Sequence, residues 1–192
     1  MIVTFDLSWD GVVGWAAIGQ QILTGHAKGY SAKRGDAPET LGIKRAMGIH
    51  QIVTNVLNTH KPEIIGYEDT FWALGAKRSL PQKVGACAPV VTCWLAIGQW
   101  CIKCNQQPQV VSISTKKARS DMGVKQCASL KPSLLKQVLA LPGYENETKA
   151  EVGVTVALLM EQAGHGLLIP PTDHQADALL YALWLERQCK LR

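Results

Sequence analysis

The sequence predicts an α/β domain in which helices cover the faces of a five-stranded mixed sheet. Strand-like and helix-like segments alternate in the order β-β-β-α-β-α-β, and only helices follow the fifth strand. The first three strands are expected to form an antiparallel meander, and the last two to run parallel. With 192 residues, the chain is expected to form a single domain, residues 1–192, with a substantial core.

The first three strands are predicted near the N-terminus. Ile2–Phe5 contains the β-branched and aromatic residues that are typical of strands. Asp10-Gly11 then provides a turn, and Val12–Ile18 and Gln21–Tyr30 are predicted as the second and third strands.

A long helix is predicted after a polar loop. Pro38 fits its first turn, and the Lys61-Pro62 pair is expected to end it. Its apolar residues recur at helical spacing, namely Leu41, Ile49, Ile52, Val53, Val56 and Leu57. Glu63–Tyr67 follows as a short apolar strand, which is expected in the centre of the sheet.

The segment Val84–Ile102 contains no charged residue and is long enough to be tested as a membrane span. It also contains Pro89, Thr92 and Gln99, and no second such segment accompanies it. We therefore expect no membrane insertion. The segment is predicted as a helix that is buried on most sides, either in the core or at a subunit interface.

The C-terminal part of the chain is predicted to be mainly helical. A fifth strand and two helices are expected at Gln109–Ser114, Pro132–Leu141 and Lys149–Ala163. Between them, Thr115–Lys131 is basic and is predicted to be the least regular part of the chain. The last helix is expected to start at Thr172, which forms a capping-box pattern with Gln175.

Three carboxylates lie where burial would be costly. Asp6 and Glu68 end apolar runs that are predicted as buried strands, and Asp177 shares a helical stripe with apolar residues. Buried carboxylates are rare unless they are paired, hydrogen-bonded or bound to metal. Because Mg²⁺ takes oxygen ligands, the three acids predict one site for a divalent cation, with His174 one turn before Asp177. With a nucleic-acid substrate, such a site predicts phosphodiester hydrolysis.

The motifs around these acids resemble those of the RuvC-type Holliday-junction resolvases, a family of the RNase H-like superfamily. Asp6 is followed eight residues later by Gly14-Trp-Ala, where the family has Gly-Tyr-Gly. Ile65-Gly-Tyr-Glu-Asp-Thr-Phe71 resembles the family's Ala-Ile-Glu-x-x-Phe, and His174-Gln-Ala-Asp-Ala-Leu resembles its (Asp/His)-x-x-Asp-Ala-Leu. The similarity spans nearly the whole chain, and it implies an RNase H-like fold.

The resemblance also implies roles for particular residues. The catalytic and metal-binding groups would be Asp6, Glu68, His174 and Asp177, around one or two Mg²⁺ or Mn²⁺ ions. DNA would be contacted by Phe71, Lys116, Lys117, Arg119 and Lys149, with Phe71 stacking at the junction centre. A homodimer would make two symmetric cuts in branched DNA during recombination and repair, and Val84–Ile102 is a candidate for its interface.

The sequence also departs from the family pattern. The family's Pro-Gly after the first acid is replaced by Leu7-Ser8. Asp173 is as well placed as His174 to be the fourth ligand, so both remain candidates. About 26 residues, Asp121–Asn146, are additional, which leaves open which basic residue contacts the scissile phosphate. This divergence is more typical of a phage or prophage branch.

Two other functions agree with the same fold: a nuclease for RNA or an RNA–DNA hybrid, and a non-catalytic DNA-binding accessory. The net charge of +5 and the pI near 8.9 permit a polyanionic partner in each case. The strand that starts directly after Met1 leaves no room for a signal peptide, and six cysteines are expected as free thiols. A cytoplasmic protein of a bacterium or of a phage-infected host is therefore expected.

Overall fold

The computed structural model describes residues 1–8, 10–69 and 79–190, and these residues form a five-stranded sheet covered by helices. The strands are β1 (Ile2–Leu7), β2 (Val12–Ile18), β3 (Ile22–Lys28), β4 (Ile64–Glu68) and β5 (Gln109–Ile113). Their order across the sheet is β3-β2-β1-β4-β5. The first three strands are antiparallel, and β4 and β5 run parallel to β1. The predicted mixed sheet is confirmed, with β1 extending through Asp6.

The described helices are α1 (Pro38–His60), α2 (Leu80–Cys104), α3 (Thr115–Asp121), α4 (Val124–Leu130), α5 (Pro132–Leu139), α6 (Glu147–Gln162) and α7 (Asp173–Lys190). Helix α1 begins at the predicted proline. It ends where Lys61 adopts a left-handed conformation with φ of 46°, and the Lys61 N–H donates to the Leu57 carbonyl.

The sheet separates two apolar cores because side chains alternate along each strand. Val3, Phe5 and Leu7 pack towards α1 and α2, whereas Ile2 faces the core that contains α7. Strand β4 alternates in the same way, with Ile65 on the α1–α2 side. The even-numbered positions of both strands therefore face α7, and these positions include both predicted acids.

The predicted irregular segment after β5 is instead helical. Ser114 caps α3 by accepting a hydrogen bond from the Lys117 N–H at 3.4 Å. Gly123 has a φ of 65° and separates α3 from α4, while Ala118 and Ala128 are buried. A serine cap, a glycine break and apolar residues at helical spacing were all present in the sequence, so the prediction of irregular structure was wrong.

Helix α2 is only partly buried within this chain, so the core alternative of the prediction does not hold, and the subunit-interface alternative stays a prediction. One face, which includes Val90, Cys93 and Trp100, packs against the sheet and α1. The opposite face exposes apolar side chains, with Leu95 59% and Ile102 85% exposed. A single sheet face and one neighbouring helix can cover only one side of a helix, and among the described residues no element covers the other.

The same helix contains the one stretch of the described chain that could cross a membrane by length and composition. Cys87–Cys104 has a mean hydropathy of 1.3, and 39% of it is buried. A core helix of a soluble protein meets the same criterion, so the observation is weak evidence for a membrane span.

Candidate active site

The pairing of β1 with β4 brings Asp6 and Glu68 together. Phe5 lies opposite Tyr67 in the parallel register, so the next residue of each strand carries a carboxylate on the α7 side of the sheet. Burial raises the pKa of Glu68 to about 9, and the negative charge of Asp6 adds to this effect. A hydrogen bond that Thr115 Oγ1 donates to Glu68 Oε1 over 2.7 Å acts in the opposite direction. The two predicted strand acids therefore share one crowded site.

Helix α7 reaches this site because Gly14 and Thr4 let it lie close to the sheet. Gly14 lies opposite Asp6 on β2, and a β-carbon there would come within 2.8 Å of His174 Cβ and collide with the His174 backbone carbonyl. Thr4 Oγ1 donates a hydrogen bond of 2.6 Å to the Ala178 carbonyl, and both groups are buried. The first turns of α7 are thus held directly over β1 and β2.

His174 occupies the position next to Asp6. Its Nδ1 atom lies 2.6 Å from Asp6 Oδ2. Burial lowers the pKa of His174, but the hydrogen bond and the charge of Asp6 outweigh it, so that the pKa is raised overall. The contact with Asp6 therefore favours the protonated form of the imidazole.

Asp177 forms an ion pair with Arg119. Arg119 Nη2 lies 2.8 Å from Asp177 Oδ1 and 3.0 Å from Oδ2. Burial raises the pKa of Asp177 to about 6, with a further contribution from Asp6, while Arg119 lowers it. Sequence reasoning predicted Arg119 as a DNA contact and missed its contact with the carboxylate.

A short hydrogen-bond chain supports Glu68 and was not predicted. Thr115 uses its hydroxyl proton for Glu68, and its oxygen lies 3.0 Å from the Tyr181 hydroxyl, which then donates. Burial raises the pKa of Tyr181 well above its ordinary value, so the phenol keeps its proton. Tyr181 lies on the stripe of Asp177, a position that could have indicated such a role, whereas nothing in the sequence distinguished Thr115.

Asp173 does not occupy the place of the fourth ligand in this structure. Its carboxylate forms an ion pair with Lys149 and accepts a hydrogen bond from the His174 N–H at 2.9 Å. Lys149 also approaches Glu145 at 3.4 Å. Of the two candidates that the sequence left open, the structure therefore brings His174 to Asp6 and holds Asp173 on Lys149.

The remaining predicted DNA contacts differ in their surroundings. Lys116 is exposed and has no ion-pair partner within the described parts of the chain. Lys117 is also exposed but lies 3.1 Å from Asp121. Phe71 lies outside the described residues.

The donor set fits a hard divalent cation by its chemistry. Asp6, Glu68 and Asp177 offer carboxylate oxygens, and burial raises the pKa of the latter two, an effect that a bound cation would oppose. In the conformation seen here, no three ligand-type side chains among residues 1–8, 10–69 and 79–190 close into a metal cluster. Asp6 is turned to His174 and Asp177 to Arg119, so two basic side chains occupy part of the site.

Comparison with known proteins agrees with this arrangement at the level of the fold. No family model matches the sequence, and no curated protein matches it. The structure of Thermus thermophilus RuvC in complex with Holliday junction substrate superimposes with a TM-score of 0.60 and 18% identity, covering 100% of this chain and 96% of that chain. A second structure of Thermus thermophilus RuvC gives 0.54 and 19%, over 99% and 95% of the two chains. The predicted RuvC-type, RNase H-like fold is therefore confirmed.

Proposed function

We propose that this chain is a divalent-metal-dependent endonuclease that cuts four-way DNA junctions, with other branched DNA as a second substrate class. The observation that carries the proposal is the convergence of Asp6, Glu68, His174 and Asp177, from three distant parts of the chain, on one face of a RuvC-type fold. The solved neighbour with Holliday junction substrate supports the choice of branched DNA.

The four side chains would hold one or two Mg²⁺ or Mn²⁺ ions. When bound, such ions supply a metal-activated water and neutralise the charge that develops on the phosphate oxygens. The residues of the chain orient the site. Tyr181 and Thr115 fix Glu68, and the close packing of α7 on Gly14 fixes His174 against Asp6.

A cation bound by Asp177 would compete with Arg119 for the carboxylate oxygens. Arg119 would then be available for a phosphate oxygen, which matches its predicted role as a DNA contact. Lys116, Lys117 and Lys149 remain predicted phosphate contacts. Lys149 would also have a positioning role, because its ammonium group holds Asp173 beside His174.

The protein would act as a homodimer, since two symmetric cuts require two active sites related by a twofold axis. The exposed apolar face of α2 is the candidate interface, and α1 contributes further exposed apolar side chains. These residues are Ile43, Met47, Val91, Trp94, Leu95 and Ile102. Several exposed apolar side chains on two neighbouring helices favour an interaction site here.

The proposal is tested by incubating the protein with an end-labelled four-way junction and with a linear duplex of the same sequence, in Mg²⁺ and in Mn²⁺. Paired, metal-dependent cuts in opposing arms are expected, with the duplex intact. Asp6→Asn should abolish cleavage but retain binding of the junction, whereas Glu161→Gln, an exposed glutamate on α6, should cleave as the wild type does. If the junction stays intact and an RNA–DNA hybrid is degraded, the protein is a nuclease for RNA–DNA hybrids and the proposal is wrong.

A further inference from the structure

A cavity of about 820 Å³ opens beside the candidate active site. Glu68, Thr115 and Arg119 form its wall at the catalytic end. The rest of the wall comes from the α3–α4 region and the start of α6, and includes Lys116, Val124, Lys125, Gln126, Thr148 and Glu151. Glu68 belongs both to the cavity wall and to the candidate active site. A molecule that fills the cavity therefore lies directly next to the carboxylates.

The charges on the wall favour a ligand that carries phosphate. Lys116 and Lys125 are exposed, and in the described parts of the chain neither side chain forms an ion pair. Arg119 also lines the cavity, with its guanidinium on Asp177. Three cations of the cavity wall are therefore available to a nucleic-acid backbone that runs past Glu68.

The rest of the wall suits a single nucleobase. Val124 is buried and offers an apolar surface, while Gln126, Thr148 and Glu151 offer hydrogen-bonding groups. An ionised carboxylate only accepts hydrogen bonds, so Glu151 favours a base with an exocyclic amino group, such as cytosine or adenine. The volume lies in the range of about 300–1,000 Å³ that is usual for small-molecule sites, which is far too small for a duplex.

We propose that this cavity is a subsite for one unpaired nucleotide of the cleaved strand, adjacent to the scissile phosphate. The inference rests on the proposed function, because the nucleotide reaches the cavity only when the phosphate next to it lies at Glu68. A base in continuous duplex would have to leave its stack and its partner to enter, which costs energy, whereas a base at a branch point is already loosened. The subsite thus favours branched DNA over linear duplex.

The first test uses junctions in which each nucleotide beside the cut is replaced, one at a time, by an abasic residue. Contacts to one base are worth about 1–3 kcal/mol, so kcat/KM should fall about 5- to 150-fold at one position and little at the others. Gln126→Ala and Glu151→Ala should reduce the ratio between the intact and the abasic junction towards one. Gln137→Ala, an exposed glutamine on α5, should retain the wild-type ratio. Equal cleavage of all abasic junctions would overturn the subsite.

The second test needs no cleavage. 2-Aminopurine is placed at each position around the branch point in turn, and its fluorescence is followed on binding in the absence of divalent metal. Unstacking into the cavity should raise the fluorescence at one position with the wild type and less with Glu151→Ala. If the wild type cleaves no junction, the proposed function fails, but this signal still decides the subsite. Unchanged fluorescence at every position would refute it.

Discussion

His174 Nδ1 and Asp6 Oδ2 lie 2.6 Å apart, although 168 positions separate the two residues in the chain. This contact depends on how closely α7 approaches the sheet, and that approach depends on Gly14. The site is therefore assembled by packing, and its geometry can be changed without touching any charged residue.

Gly14→Ala should separate His174 from Asp6. The added methyl group would collide with the backbone of α7, so we expect a loss of about 1–3 kcal/mol in the free energy of unfolding and a loss of cleavage. Gly42→Ala is the matched control, because nothing lies within 4 Å of its β-carbon and alanine favours the helix. Urea unfolding measures the free energy of unfolding of both variants. If Gly14→Ala is as stable as the wild type, α7 adapts to the added methyl group at no cost.

The raised pKa of Glu68 predicts that the metal-free protein becomes less stable as the pH rises. The pKa is about 9 in the folded protein against an ordinary value of 4.5, so between these limits the folded state binds a proton that the unfolded state lacks. The free energy of unfolding then falls with increasing pH. The raised pKa values of Asp177 and His174 have the same sign, since each favours the protonated form on folding.

Glu68→Gln should remove much of this pH dependence and raise Tm at pH 8 in the absence of divalent metal. The expected gain is about 2–4 °C for each kcal/mol of relieved repulsion and desolvation. Mg²⁺ or Mn²⁺ should raise the Tm of the wild type at pH 8, and chelation should reverse this, with little effect on the variant. Calorimetry from pH 5 to pH 9 measures the Tm of the wild type and of Glu68→Gln, with and without metal. Glu161→Gln is the control. A wild-type Tm that rises with pH would contradict the argument.

Strand alternation and helical spacing were enough to predict which acids would meet. Asp6 and Glu68 end neighbouring strands at positions that face the same side, and Asp177 lies on the buried stripe of α7. These local periodicities are properties of the backbone, and they hold wherever an apolar face is buried.

The partners of these acids could not be predicted in this way. Arg119 is one of several basic residues in its segment, and only the placement of α3 against α7 brings its long side chain to Asp177. Thr115 reaches Glu68 because β5 ends beside β4. The surroundings of α2 could not be decided from the sequence for a related reason, because hydropathy shows that a face is apolar but not which element covers it.

Arg119→Ala should destabilise the metal-free protein because it leaves Asp177 unpaired. The removal of one partner of a buried ion pair costs about 3–5 kcal/mol, and the lower end is expected because the Arg119 side chain is 26% exposed. Adding Asp177→Asn should recover part of the loss. Lys117→Ala removes an exposed pair with Asp121 and should cost about 1 kcal/mol or less. Denaturant unfolding measures the free energy of unfolding of each variant. If Arg119→Ala and Lys117→Ala lower it equally, the Arg119–Asp177 pair behaves as an exposed pair.

Lys116→Ala should weaken junction binding and reduce its salt dependence. Its side chain is exposed and without an ion-pair partner in the described chain, so a phosphate contact would release a counterion. The slope of log K against log salt should fall by about one, with little dependence on DNA sequence. Lys117→Ala should give a smaller change, since Asp121 already competes for that ammonium group. Titrations at several salt concentrations measure the slope, and an unchanged slope would make Lys116 a solvated surface residue.

Leu95→Glu should convert a dimer into a monomer. Leu95 is 59% exposed near the centre of the apolar face of α2, and a carboxylate there would be buried without a partner in a twofold interface. Lys103→Glu is the control, because it changes the charge of the same helix at an exposed polar position near its end. Sedimentation at micromolar concentration measures the mass of each. A monomeric wild type on junction DNA would remove the dimer from the proposed function, whereas a dimer unaffected by Leu95→Glu would move the interface to another surface.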